Sequence, residues 1–288
     1  MPRVRPLLAV MLLALAAPRP AAAQPARDAE AWLASLQDDV AADLRAGHRL
    51  EVTVHVPLCD NDLIRCGNSR LGDGEDLAHN LYWATSGGFL GWFGRKGSGW
   101  KQVRRTAGGD DPDILETRVW RRRVRPAGAL RARGVTRPFD VDVVVHAWRG
   151  EAIQRAMARF ASDLFGSGGS RLVAFVGHNG WMDVGDFAWP AAPTDAPRRG
   201  VIAIACITED YLVPAVPSER RVPLLFTRSL LFAGAHALEG AVSAFAAGAS
   251  LAGVREGAVR AYAAGQKKPL PRVRAAFTNP ADRKWKAR

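Results

Sequence analysis

Three cysteines and six histidines in 288 residues leave little material for a metal centre. His48, His55, His79, His146, His178 and His236 are scattered, and no His-x3-His or Cys-x2-Cys pair occurs of the kind that zinc sites use. A Gly-rich phosphate-cradling loop ending in Lys-Ser or Lys-Thr is missing, as is the Gly-x-Ser-x-Gly turn of serine hydrolases. We therefore expect no metal and no cofactor. No uncharged apolar run reaches the 18 or so residues needed to cross a bilayer, so no integral membrane segment is expected in the mature chain. Internal repeats are also absent. Lysine is scarce, at 6 against 34 arginines, and the excess of basic residues reads as composition and solvated faces rather than as a nucleic-acid site.

What is present begins with a leader. Arg3 and Arg5 form a basic start, Leu7 to Ala17 an apolar run, and Ala21-Ala22-Ala23 a small-residue cleavage site. Residues 1–23 thus read as a signal peptide, and the chain is expected to be periplasmic or secreted. Cleavage removes Arg3, Arg5 and Arg19 and lowers the formal net charge from +12 to +9. The rest is 24–270 as a single domain, followed by a basic C-terminal tail, 271–288.

In an oxidising compartment the cysteine count has a consequence. Cys59 and Cys66 flank a short polar loop and can close a disulfide, which leaves Cys206 as the odd thiol. The alternative for Cys206 is a buried, inert side chain at the end of an apolar strand.

Hydrophobic periodicity gives the elements. Trp32, Leu33, Leu36, Val40 and Leu44 lie at helical spacing over 28–45, and 50–56 alternates apolar and polar as a strand. Residues 68–109 are rich in Gly and aromatics and predict helix pieces and loops over a sheet. Further strands are predicted at 114–124 and 141–148, with a surface excursion at 126–138 between them. The helix at 150–165 and the strand at 172–177 complete a strand-helix-strand unit, which implies a parallel pair. A loop with Pro190, Pro193 and Pro197 leads to strands at 201–206 and 223–227 and to helices at 233–247 and 250–264. The fold class is α/β, with a mainly parallel sheet sandwiched between helices.

Two of these strands end in reactive side chains: Leu172 to Val176 runs into Gly177-His178-Asn179-Gly180, and Val201 to Ala205 into Cys206. Ligands and chemistry collect beyond the carboxyl ends of parallel strands. A thiol attacks a carbonyl only as thiolate, so it needs a neighbouring base and N–H donors aimed at the developing oxyanion. An apolar strand ending in Gly177-His178, a next strand ending in Ala205-Cys206, and a further strand with two helices over 223–264 resemble the caspase-like superfamily of cysteine peptidases. The resemblance covers about 141–264. It implies His178 as base, Cys206 as nucleophile, and the backbone of Asn179 and Cys206 as oxyanion hole. Asn179 stands where that superfamily has Gly, as a residue type that tolerates unusual backbone angles, and Thr208 stands where it has Ser or Gly.

Asp60 and Asp62 follow the first strand, where a carboxylate could bind a basic substrate side chain; turn formation is the other reading. Asp183 is placed to orient His178. Leu58-Cys59-Asp60-Asn61 with Asn80-Leu81-Tyr82-Trp83 resembles a pattern in uncharacterised exported bacterial proteins, which implies no activity but suggests that the first strand end and the aromatic loop share one crevice. The expected function is an exported cysteine peptidase or amidase acting on peptide or protein. Its alternative is a catalytically inactive scaffold that binds peptide, glycan or an envelope partner through the aromatic region Tyr82 to Trp100.

Overall fold

The computed structural model describes residues 25–279; the expected signal peptide, 1–23, lies outside them. Eight strands form one sheet: β1 (Leu50–Pro57), β2 (Lys101–Ala107), β3 (Ile114–Val124), β4 (Phe139–Trp148), β5 (Leu172–Val176), β6 (Arg199–Ile204), β7 (Arg221–Thr227) and β8 (Phe277–Thr278). Their order is β2-β3-β4-β1-β5-β6-β7-β8. The five central strands, β4 to β7 in that order, run parallel, and antiparallel partners flank them on both sides.

Among the described residues eight α-helices accompany the sheet: α1 (Pro25–Arg45), α2 (Phe89–Gly94), α3 (Gly128–Ala132), α4 (Ile153–Phe165), α5 (Thr208–Leu212), α6 (Ala235–Ala246), α7 (Leu251–Gln266) and α8 (Leu270–Arg274). The period of two along the strands divides the core. Leu172, Ala174, Val176, Ile202 and Ile204 join Leu33, Leu36, Phe89, Leu238 and Val259 on the face of α1, α2, α6 and α7. Val173, Phe175, Val201 and Ala203 join Met157, Phe160, Leu164 and Leu212 on the face of α4 and α5. A parallel sheet covered on both faces reads as continuous apolar runs, as β5 and β6 do. On α4, Ile153, Met157, Phe160 and Leu164 are all buried, and each contributes about 2 kcal/mol by leaving water. Among the described residues no helix is long and apolar enough to cross a membrane.

The parallel pair expected from the strand-helix-strand unit is not a pair of neighbours. β1 lies between β4 and β5, hydrogen-bonded to both, so the chain crosses from one side of β1 to the other. In parallel sheets such a reversal of strand order is the place where ligands collect, beyond the carboxyl ends of the strands.

Three other expectations change. The stretch 68–109 contains an edge strand, β2, whose seven residues are all exposed and which pairs with β3. A charged, solvated edge blunts pairing with other chains. The excursion at 126–138 buries Leu130 and Val135 within the core. The domain does not end at 270: α8 and β8 follow, β8 pairs with β7, and Phe277 is buried, so 271–279 are part of the fold rather than of a tail.

Candidate active site

β5 and β6 are paired in register, Leu172 with Gly200 through Val176 with Ile204. One residue further, the Gly177 N–H donates to the Ile204 carbonyl at 3.2 Å. His178 and Cys206 each stand two positions beyond the last paired residues, on strands whose backbones lie about 4.8 Å apart.

Asn179 joins the two ends. It is fully buried; its Nδ2 donates to the Cys206 carbonyl at 2.5 Å, and its Oδ1 accepts from the Trp181 N–H at 3.1 Å. Its backbone angles, φ −84° and ψ 83°, demand no left-handed freedom. The amide therefore stands here as a clamp, not for the backbone tolerance expected of it. Gly180 is required by contact: a Cβ there would lie 2.5 Å from Met157 Sδ and 3.0 Å from Ile153 Cδ1 on α4.

His178 Nε2 lies 2.6 Å from Asp183 Oδ2. A single 3₁₀ turn, Gly180–Met182, returns the chain so that the carboxylate meets the ring. Trp181 in that turn is buried against Phe160, Phe175 and Trp189, which fixes the turn to the body of the protein.

Cys206 is half-buried and is the free cysteine. Its thiol points at the Leu231 carbonyl, 3.7 Å away. It also neighbours two tyrosines: burial pushes the Tyr82 phenol well above its ordinary range and the Tyr262 phenol upward, and proximity to Cys206 adds to both. No hydrogen bond joins His178 to Cys206 among the described residues. Apo sites commonly hold such contacts long, tightening them only with substrate.

The turn after Cys206 is strained. Ile207 has φ 51°, a left-handed conformation that a β-branched side chain adopts only when its surroundings impose it. The surroundings are rigid: the Ile207 N–H donates to the Ser229 carbonyl, and Thr208 and Thr227 exchange N–H to Oγ1 bonds of 3.1 and 3.0 Å. Thr208, buried at the start of α5, is thus the anchor of the turn. The backbone N–H groups of Asn179 and Cys206 donate to no acceptor among the described residues.

Asp60 and Asp62 lie at the carboxyl end of β1. Asp60 Oδ1 accepts from the Asp62 N–H at 2.9 Å, which makes a side-chain turn. With Asp73, Glu75 and Glu151 they line an acidic groove of about 400 Å³. The groove adjoins β4 through Gly150; neither His178 nor Cys206 lines it.

Cys59 and Cys66 are bonded to one another, with Cα atoms 6.0 Å apart. Asn80 fastens this loop, accepting from the Cys59 and Tyr82 N–H groups and donating to the Cys59 and Asp73 carbonyls. The first strand end and the aromatic segment are therefore one structure. The aromatics themselves face inward. Tyr82, Trp83, Phe89, Phe93 and Trp100 are buried, and Arg95 covers the Trp92 ring at 3.6 Å, so they offer no open stacking platform.

Sequence reasoning missed a polar cluster under α4. His55 on β1 is buried, its Nε2 3.0 Å from Asp163 and its Nδ1 accepting from Trp148 Nε1 at 3.2 Å. His146, its partner on β4, stacks on it at 5.5 Å and bonds Thr117. Burial pushes both imidazoles down, His146 to about 4. The alternation of β1 held the signal, since its polar positions had to face something once the strand became central. Among the described residues no group of three or more His, Cys, Asp or Glu side chains is arranged to hold a metal ion.

No protein-family model, no curated protein and no solved structure matches this chain.

Proposed function

We propose that the protein is an exported cysteine peptidase or amidase of caspase-like arrangement, with Cys206 as nucleophile and His178 as base. The observation that carries this reading is the pairing of β5 and β6, which ends at Val176 with Ile204, two residues short of His178 and Cys206, at neighbouring strand ends that Asn179 clamps together.

In the proposed reaction His178 takes the Cys206 proton, and the thiolate attacks the substrate carbonyl carbon. The oxyanion is met by the N–H groups of Asn179 and Cys206, both free of other acceptors among the described residues. Collapse breaks the C–N bond, His178 gives its proton to the leaving amine, and a thioester remains. Water, deprotonated by His178, attacks the thioester; the acid departs and the thiol is restored.

Further support comes from the strand order, whose reversal at β1 adjoins β5, and from the strained turn at Ile207 directly after the nucleophile. The acidic groove holding Asp60 and Asp62 would receive a basic side chain of a peptide or protein substrate. The Cys59–Cys66 bridge supports an oxidising, periplasmic or secreted location.

Because Cys206 is the free thiol, iodoacetamide reports on it directly in the unreduced protein. Alkylation at pH 6 well above that of an unperturbed thiol is expected, with loss of peptide hydrolysis in Cys206→Ala. Slow alkylation together with undiminished hydrolysis in Cys206→Ala would overturn the proposal.

A further inference from the structure

We infer that Asp183 is the positioning residue of this site, completing a Cys206–His178–Asp183 array; the inference rests on the reading of His178 and Cys206 given above. An ionised carboxylate only accepts hydrogen bonds. The 2.6 Å contact from His178 Nε2 to Asp183 Oδ2 therefore fixes a proton on Nε2 and leaves the Nδ1 lone pair as the atom that takes the thiol proton. Asp183 is the only charged side chain that hydrogen-bonds the His178 ring among the described residues.

The segment between them is built to hold this pairing. The Asn179 side chain caps the Trp181 N–H, the Asn179 carbonyl accepts from Met182 at 3.0 Å, and the Gly180 carbonyl accepts from the Asp183 N–H at 3.1 Å. Trp181 is pinned between aromatic rings of the α4 face, its centroid 4.8 Å from that of Phe175. The same residue that ties His178 to Cys206 thus also sets the turn that brings Asp183 to His178. The His178 side chain is 11% exposed and Asp183 47%, so the imidazole is sheltered and the carboxylate partly solvated. When His178 becomes an imidazolium, the carboxylate stabilises it and so stabilises the thiolate it accompanies.

The test is the pH dependence of Cys206 alkylation by iodoacetamide in the wild type, His178→Ala, Asp183→Asn and Asp183→Glu, without reductant. Asp183→Asn is expected to move the midpoint up by about one pH unit and so slow the reaction at pH 6 roughly tenfold, with Asp183→Glu recovering most of the loss. A slow His178→Ala with Asp183→Asn at the wild-type rate would overturn the role of Asp183 and leave the base in place. His178→Ala at the wild-type rate would overturn the underlying dyad and this inference with it. Should Asp183→Asn fail to fold, long-range ¹H–¹⁵N correlations in Cys206→Ala decide the matter: a proton on Nε2 of His178 is expected, and a neutral ring protonated on Nδ1 would overturn the inference.

Discussion

The Asn179 side chain donates to the main-chain carbonyl of Cys206, so one buried amide holds together the ends of two neighbouring strands. Replacing it by aspartate would exchange the donor for a carboxylate facing a carbonyl. We expect Asn179→Asp to lose about 2–3 kcal/mol, because a buried acceptor is left unsatisfied and a charge is desolvated. A fall in the urea midpoint at constant m-value measures this, and an unchanged midpoint would refute the clamp.

Gly180 makes a sharper claim about packing. Gly180→Ala should cost about 1–3 kcal/mol, since the new methyl meets Met157 Sδ at 2.5 Å in a filled core. Trimming the opposing side chain tests the cause. In a Met157→Ala background the cost of Gly180→Ala should largely vanish, and additive losses would show that the clash is not with Met157.

Reduction should weaken the protein without unfolding it at neutral pH. The bridge between Cys59 and Cys66 closes a short loop, and losing it should cost about 2–3 kcal/mol by the chain-entropy model. Urea unfolding with and without a phosphine reductant gives the difference. The double variant Cys59→Ser, Cys66→Ser should start from the lower stability and ignore the reductant.

Acid should destabilise the fold through buried imidazoles. Burial pushes His146 and His236 from the ordinary 6.5 to about 4, and His55 is also pushed down by burial despite the opposing pull of Asp163. For His146 and His236 the unfolded chain takes up a proton below pH 6.5 while the folded chain resists until about pH 4, and His55 acts in the same direction. Stability is thus full above 6.5 and falls as pH drops through that window. By pH 4.5 His146 and His236 should each have lost about 2–3 kcal/mol. Urea midpoints between pH 7.5 and 4.5 follow the loss, and His146→Gln should flatten the curve; an identical pH dependence in that variant would remove His146 as a cause.

How much of this was legible depended on the neighbourhood of each segment. β5 and β6 are buried on both faces and announce themselves as apolar runs, so the ends bearing His178 and Cys206 could be read directly. β2 could not: Lys101 to Ala107 is solvated along its whole length and owes its conformation to pairing with β3. β8 is two residues held by β7. Asn179 was visible as a departure from the Gly of the resembling pattern, but its purpose lies 27 residues away, in the Cys206 carbonyl. Asp183 was visible five residues beyond His178, and only the 3₁₀ turn between them made it a partner.

By itself the sequence determined the α/β alternation and two strand ends bearing a histidine and a cysteine. It also suggested a pairing of two cysteines that would leave the third free. Those properties follow from local periodicity and from counting, which act over a few residues. The tertiary structure decided what a one-dimensional pattern cannot carry. It placed β1 between β4 and β5, buried the aromatic segment, set Asp60 and Asp62 in a groove apart from Cys206, and folded Asp183 back onto His178. Each of these depends on which strands become neighbours, and strand order is fixed by burial summed over the whole chain rather than by any one segment of it.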